Sequence, residues 1–438
     1  MSKPKTRWIV IFAILCALQL LVLFQAGNPE SGGAHAAALD KADTAWMIVA
    51  TAFVLFMTPG LSFFYGGMVG TKNVISTMLQ SFIALGVISL LWYLVGFSLA
   101  FGESIGGIIG NPATFFAFRG VGVDPHPDFA PTFPFLLFAL FQLKFAIITP
   151  ALITGSFAER VKFTSYLIFM CLFSLVIYCP LAHWTWHPQG FLRQWGVLDF
   201  AGGTVVHMSA GFAALAGAYI LGKRENKTHV PANIPFIILG TGMLWFGWFG
   251  FNAGSALAAN GLAVLAFATT NMASASAMIT WVMFDALVGR KISAMGACIG
   301  AVVGLVAITP AAGFVNIGQS VFIGFAAAIV SNLAVYYKQR TSLDDTLDVF
   351  PCHGLGGIVG MILTAVFAKD VGLVYGETKT FLYHLLTLVI VGVFTFGGSY
   401  VIYKITGVMT RLRVSADDER LGLDLSQHAE TIVAEKAA

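Results

Sequence analysis

Apolar stretches about twenty residues long recur along almost the whole chain, each long enough to cross a bilayer. They fall at about 45–68, 74–101, 133–157, 163–181, 200–222, 234–258, 263–288, 293–310, 318–337, 350–368 and 383–404. Each is predominantly apolar, so helices are the expected way to satisfy the backbone inside hydrocarbon. Only 10% of the residues are charged, against about 25% in soluble domains. The expected fold class is an all-α polytopic membrane protein of eleven transmembrane helices. A net charge of +3 argues against a nucleic-acid partner.

Charge placement sets the expected orientation. If the first span begins outside, thirteen Lys and Arg fall in the inner loops and after the last span, among them Lys72, Arg160, Arg224, Arg290, Lys338 and Arg413. Five fall outside: Lys41, Arg119, Arg193, Lys369 and Lys379. The excess inside supports an odd number of spans, an outer N-terminus and a cytoplasmic C-terminus. An odd count also gives spans one to five and six to ten opposite directions, an inverted five-plus-five repeat.

Three segments organise the chain. Lys3, Lys5 and Arg7 precede an apolar run from Trp8 to Phe24 and an Ala34-His35-Ala36 site. This reads as a signal peptide over 1–36, with a retained anchor helix as the other reading. The transmembrane domain covers 37–404, and a polar tail covers 405–438. The five cysteines lie in apolar stretches without a CxxC pair, which reads as small core residues, with neither disulfide nor metal site.

Two glycine-rich segments carry ionisable groups into the apolar spans. One runs from Asp199 to His207 and the other from Asp348 through His353 to Gly360. Such groups inside lipid normally face a bundle interior or a pathway. His207 lies in span five and His353 in span ten, corresponding positions of the two halves. Two contacting neutral imidazoles can share one Nδ1–H to Nδ1 hydrogen bond and relay a proton.

Five strings resemble, in order, the ammonium transporter family (Amt/Mep/Rh) on its bacterial Amt side. They are Phe64-Tyr-Gly-Gly-Met-Val-Gly-Thr-Lys-Asn73, Gly155-Ser-Phe-Ala-Glu-Arg160, Asp199-Phe-Ala-Gly-Gly-Thr-Val-Val-His207, Trp248-Phe-Gly-Phe-Asn-Ala-Gly-Ser255 and Asp348-Val-Phe-Pro-Cys-His353-Gly. The tail from Leu412 to Asp424 also looks like the family's C-terminal region. The resemblance implies a homotrimer in a bacterial inner membrane, with one pore per subunit. It implies ammonium or ammonia as substrate, no cofactor, and a trimeric PII-class signal protein as cytoplasmic partner.

By the same resemblance Trp186, Phe145 and Ser255 form an outer ammonium recruitment site, with Asp199 supporting it. Phe145 and Phe251 are stacked gate rings, and His207 and His353 line the pore below. The residue types suit the task. Aromatic faces replace water around a cation at about 2 kcal/mol each when desolvated, and a hydroxyl accepts one N–H. Potassium has no proton to lose, so a pore that requires deprotonation rejects it.

Lys144, just before Phe145, departs from the family, which usually has an uncharged residue there. A lysine inside a span costs about 2.5–3.5 kcal/mol on insertion scales. It reads as a side chain that snorkels or pairs at a subunit interface, as a fixed cation that repels ammonium, or as an uncharged amine. Other functions weighed against transport are an ammonium sensor of the same fold signalling through its tail, and an Rh-like protein handling a neutral gas. No HExxH, GxSxG or P-loop pattern stands in a suitable context for an enzyme.

Overall fold

The computed structural model describes residues 39–226 and 230–432, and ahead of them 12–14, 16, 17 and 20. The expected leader therefore lies almost wholly outside the described residues. Among the described residues ten helices are long and apolar enough to cross a membrane: α1 Lys41–Met68, α2 Val74–Phe101, α3 Phe135–Ser156, α4 Phe163–Gln194, α5 Gly203–Leu221, α6 Ile234–Gly254, α7 Gly261–Leu287, α9 Ile317–Lys338, α10 Phe350–Phe367 and α11 Lys379–Met409. The span expected at 293–310 is a shorter apolar helix, α8, Ala294–Ile308. A small antiparallel ribbon, Ser104–Ile105 with Ile109–Gly110, is the one sheet among the described residues.

Local chemistry sets the helix boundaries. The Asp40 carboxylate accepts from the backbone N–H of Ala42 and Asp43 and starts α1. Asn260 and Ser293 cap α7 and α8 in the same way. Two ends differ from the sequence reading. Helix α4 continues past Pro180 to Trp186, is interrupted at 187–190, and resumes to Gln194. A wide π-turn at Ser174–Tyr178 precedes the proline and absorbs its disruption. Helix α11 reaches from Lys379 to Met409, beyond the expected 383–404. Its terminal cations lie near rings of the same helix: Lys379 Nζ is 5.7 Å from the Tyr383 centroid and Lys404 Nζ 5.4 Å from that of Tyr400. Long basic side chains of this kind let a helix extend past the apolar core.

The corresponding helices of the two halves pack antiparallel. Ala50 of α1 meets Gly250 of α6, Met57 meets Gly247, Phe64 meets Gly240, and Gly67 meets Asn233. A Cβ at Gly240 would stand 2.4 Å from the Phe64 backbone nitrogen, so glycine lets these backbones touch. Helices α5 and α10 do the same nearer the centre. Gly211 faces Gly354 and Gly203 faces Gly357, and a Cβ at Gly211 would lie 2.3 Å from the Gly354 Cα. Opposite direction within each pair is the relation the inverted repeat requires.

The tail packs on three loops at one face of the bundle. Val414 donates to the Arg160 carbonyl, and Lys162 donates to the Leu412 carbonyl. Arg413 grips Glu419 at 2.7 Å and donates to the Leu221 carbonyl at the end of α5. Asp424 accepts from Ile75 and Ser76 at 3.1 and 2.7 Å, capping the start of α2. The following sections call this the tail face, and the opposite one the Asp199 face.

Candidate functional site

Asp199 and Asp345 build the centre from opposite ends. Asp199 stands eight residues before His207, and Asp345 eight residues before His353. Asp199 accepts from the backbone N–H of Gly202, Gly203 and Thr204 at 2.8, 2.6 and 2.7 Å, and from the Thr204 hydroxyl at 2.5 Å. Asp345 accepts from Val349 and Phe350 at 3.1 and 2.8 Å. Each carboxylate thus caps the helix that carries its histidine. Burial pushes both carboxyl pKa values up, and the donated hydrogen bonds pull them back. The sequence pattern had paired Asp348 with Asp199. Asp348 instead contacts Lys338 at 2.6 Å, with a left-handed backbone at φ 58°.

Behind each cap the helix opens with a π-turn, Gly203–Met208 in α5 and Phe350–Gly354 in α10, and each turn holds its histidine. The backbones touch at Gly211 and Gly354, so the rings converge. The two Nδ1 atoms are 3.4 Å apart and both side chains are buried. Trp248 stacks on His207 with centroids 5.3 Å apart and a 20° interplanar angle.

Toward the Asp199 face the pair is covered by two rings. Phe145 and Phe251 have centroids 4.1 Å apart and are fully buried. Above them opens a cavity of about 440 Å³ lined by Phe145, Trp186, Ser255, Gln142, Asp128, Arg193 and Asp199. Trp186 meets Phe145 edge-on at 5.7 Å and donates its indole N–H to the Asp199 carbonyl at 3.2 Å. The Ser255 hydroxyl donates to the Phe251 carbonyl at 2.8 Å. Its proton is therefore committed, and its lone pairs are left as acceptors.

The geometry brings together Phe145, Trp186, Ser255 and Asp199 at one cavity, and Phe251, His207 and His353 beneath it. Asp199 borders the cavity, but the hydrogen bonds of its carboxylate point into the start of α5, a positioning role. Lys144 does not join them. The α3 residues that line the cavity are Phe138, Gln142 and Phe145, whereas Lys144 lies on the partly exposed strip of Leu136 and Leu140. Among the described residues it has no hydrogen-bond or ion-pair partner. Lys144 is off the cavity wall because successive residues lie 100° apart around a helix.

Three participants were missed by sequence reasoning. Gln142, one turn before Phe145, lines the cavity, and its buried Oε1 has no partner among the described residues. Trp248, three residues before Phe251, shares its helix face, and that spacing was a usable signal. Arg193 donates to the Trp186 carbonyl at 2.9 Å, and nothing local in the sequence announces it.

Toward the tail face, a narrow cavity below His353 is lined by Phe64, Tyr65, Ile299, Val302 and Cys352. It gives way to a wider cavity of about 380 Å³ bordered by Arg224, Asp344, Asp348 and Lys338. Arg224 bridges Glu159 at 2.8 Å and forks onto both oxygens of Asp344 at 3.0 Å. That guanidinium holds the Asp344 carboxyl down at about 2, against burial. Arg160, fully buried, donates to the Thr346 hydroxyl and to the carbonyls of Ser156 and Asp344.

Known proteins share both the sequence and this architecture. The profile of the Ammonium Transporter Family matches residues 45–433. An ammonium transporter of Aquifex aeolicus is 45% identical over 405 residues, covering 91% of this chain and 94% of that protein. One from Bacillus subtilis is 42% identical over 401 residues, covering 90% and 98%. The crystal structure of Saccharomyces cerevisiae Mep2 matches with a TM-score of 0.83 at 35% identity, covering 90% of this chain and 93% of that one. A solved sensor Amt protein matches with a TM-score of 0.81 at 30% identity, covering 88% and 98%. A profile match over most of the chain, and relatives above 40% identity along nearly their whole length, lead to one conclusion: this polytopic membrane protein belongs to the ammonium transporter family.

Proposed function

We propose that the protein carries ammonium across the membrane by stripping it of a proton at the Asp199 face and passing ammonia along the His207–His353 pair. The observation that carries this reading is the 3.4 Å imidazole contact beneath the Phe145–Phe251 rings, with an acceptor-bearing cavity above. A cation entering that cavity exchanges water for the faces of Trp186 and Phe145, each worth about 2 kcal/mol when desolvated. The lone pairs of Ser255 and the Oε1 of Gln142 accept N–H bonds. Isolated ion burial costs many kcal/mol, so ammonium goes further only as the neutral molecule. The proton follows through the paired imidazoles, and potassium stops at the rings.

The wider reading follows the resemblance. The leader over 1–36 is removed, and the mature chain assembles as a homotrimer in a bacterial inner membrane. The Asp199 face is outside and the tail face is cytoplasmic. The tail from 405 to 438 is regulatory, and a PII-class protein docks on that face. The tail's contacts with the loops before α2 and after α3 and α5 support a regulatory role, and they are also what a sensor would need to report pore occupancy. The pore chemistry favours transport. Currents on a solid-supported membrane decide between the two. A transporter gives a saturable current with ammonium, a smaller one with methylammonium and none with potassium. A sensor gives no sustained current with any of the three.

A further inference from the structure

The hydroxyl of Thr309, just past the end of α8, sits at the centre of three groups. It donates to the Leu305 carbonyl at 2.8 Å, accepts from the Trp248 indole at 2.9 Å, and lies 3.3 Å from His207 Nε2. His207 Nδ1 in turn faces His353 Nδ1. The hydrogen-bonding capacities of these groups leave little freedom. A carbonyl only accepts, and that of Leu305 is nearer than His207 Nε2, at 2.8 against 3.3 Å, so the one hydroxyl proton goes to Leu305. An indole only donates, so one lone pair of Thr309 goes to Trp248. What remains to face His207 is the second lone pair.

We propose that Thr309 fixes the tautomers of the histidine pair: His207 carries its proton on Nε2, and His353 carries its own on Nδ1. His207 must donate from Nε2 to satisfy Thr309, so in the neutral ring its Nδ1 is bare. The Nδ1 contact then has a single solution, with His353 as donor. His353 Nε2 is left bare, and ammonia meets an acceptor nitrogen there.

The assignment names the state the pair holds after an inward transfer, and it depends on the pore reading above. Before an inward transfer the pair must hold the opposite tautomers, Nδ1–H on His207 and Nε2–H on His353; the incoming proton then bonds to the bare Nε2 of His207, the Nδ1 proton of His207 moves to Nδ1 of His353, and the Nε2 proton of His353 leaves. One N–H bond forms and one breaks at each ring, and no proton is gained overall. The pair ends as Nε2–H on His207 and Nδ1–H on His353, the arrangement Thr309 favours. Thr309 is thus a positioning residue that stabilises the pair as an inward transfer leaves it.

Nitrogen spectra of ¹⁵N-imidazole-labelled full-length protein in lipid bilayers test this, with single histidine replacements assigning the lines. The wild type is expected to show a protonated Nε2 and bare Nδ1 on His207, and the reverse on His353. Thr309→Ser keeps the acceptor and keeps this pattern. Thr309→Val removes it and erodes the preference by about tenfold, the factor supplied by one hydrogen bond of ordinary net strength. A wild-type spectrum with Nδ1–H on His207, or unchanged populations in Thr309→Val, overturns the proposal. The wild-type spectrum decides even if the valine variant does not fold. The spectra need no transport, so failure of the pore reading would appear separately, as absent ammonium current with the tautomers intact.

Discussion

The cavity beside Asp199 and the cavity beside Arg224 are of similar size, about 440 and 380 Å³, and handle charge in opposite ways. Near Asp199 the carboxylate is consumed by the start of α5, and the space is lined by aromatic surface, Ser255 with its free lone pairs, and Gln142, with Asp128 and Arg193 as its remaining charged walls. Near Arg224 the walls are charged, but Glu159, Asp344 and Arg224 satisfy one another. Neutral acceptors and ring faces can hold a cation weakly enough to release it. A mutually paired network holds loops together and has little left for a passing substrate. The first region is therefore expected to govern recognition, and the second to govern folding.

The strongest way to break this comparison is at the network. Arg224→Met leaves Glu159 and Asp344 buried without their cation, and losing one partner of a buried pair costs about 3–5 kcal/mol. A large fall in the thermal midpoint of the purified protein is expected, with ammonium-over-potassium discrimination retained in whatever protein folds. A change in discrimination with unchanged stability would contradict the division of roles.

Gly211→Ala comes next. The new Cβ would stand 2.3 Å from the Gly354 Cα, and neither backbone can yield without parting α5 from α10. Overpacking of this kind costs about 1–3 kcal/mol. The current is expected to fall at least tenfold, because the histidines separate with their helices. Stability measured beside the current separates the two effects.

The smallest effects belong to the cavity acceptors. Ser255→Ala and Gln142→Leu each remove one acceptor of ordinary strength, about 0.5–1.5 kcal/mol. Each should raise the half-saturating ammonium concentration several-fold and leave the thermal midpoint almost unchanged. Equal losses of stability would show these side chains to be structural.

Much of this architecture was legible before any coordinates. Predominantly apolar runs announced the helices, because hydrocarbon leaves a backbone few ways to pair. The charge excess set an expected direction for them. His207 and His353 stood out as ionisable groups where none is expected. Other features depend on contacts across the fold. The apolar run read at 163–181 stops just after Pro180, whereas a π-turn upstream lets the helix run on to Trp186. Asp348 was the nearer acid to His353, yet Asp345 caps α10. The equal eight-residue spacing to each histidine was visible in the chain but masked by the closer residue. Lys144 adjoins Phe145 in sequence and faces another direction, because neighbours on a helix do not share a face. Thr309 had no local signal, since its partners come from α5, α6 and α8.

The most direct measurement is the ammonium-evoked current of the His207→Ala, His353→Ala double variant on a solid-supported membrane, beside its potassium current. If the imidazoles carry the proton that ammonium leaves behind, the ammonium current disappears or potassium begins to pass as well. An ammonium current of wild-type size, with potassium still excluded, would contradict the account.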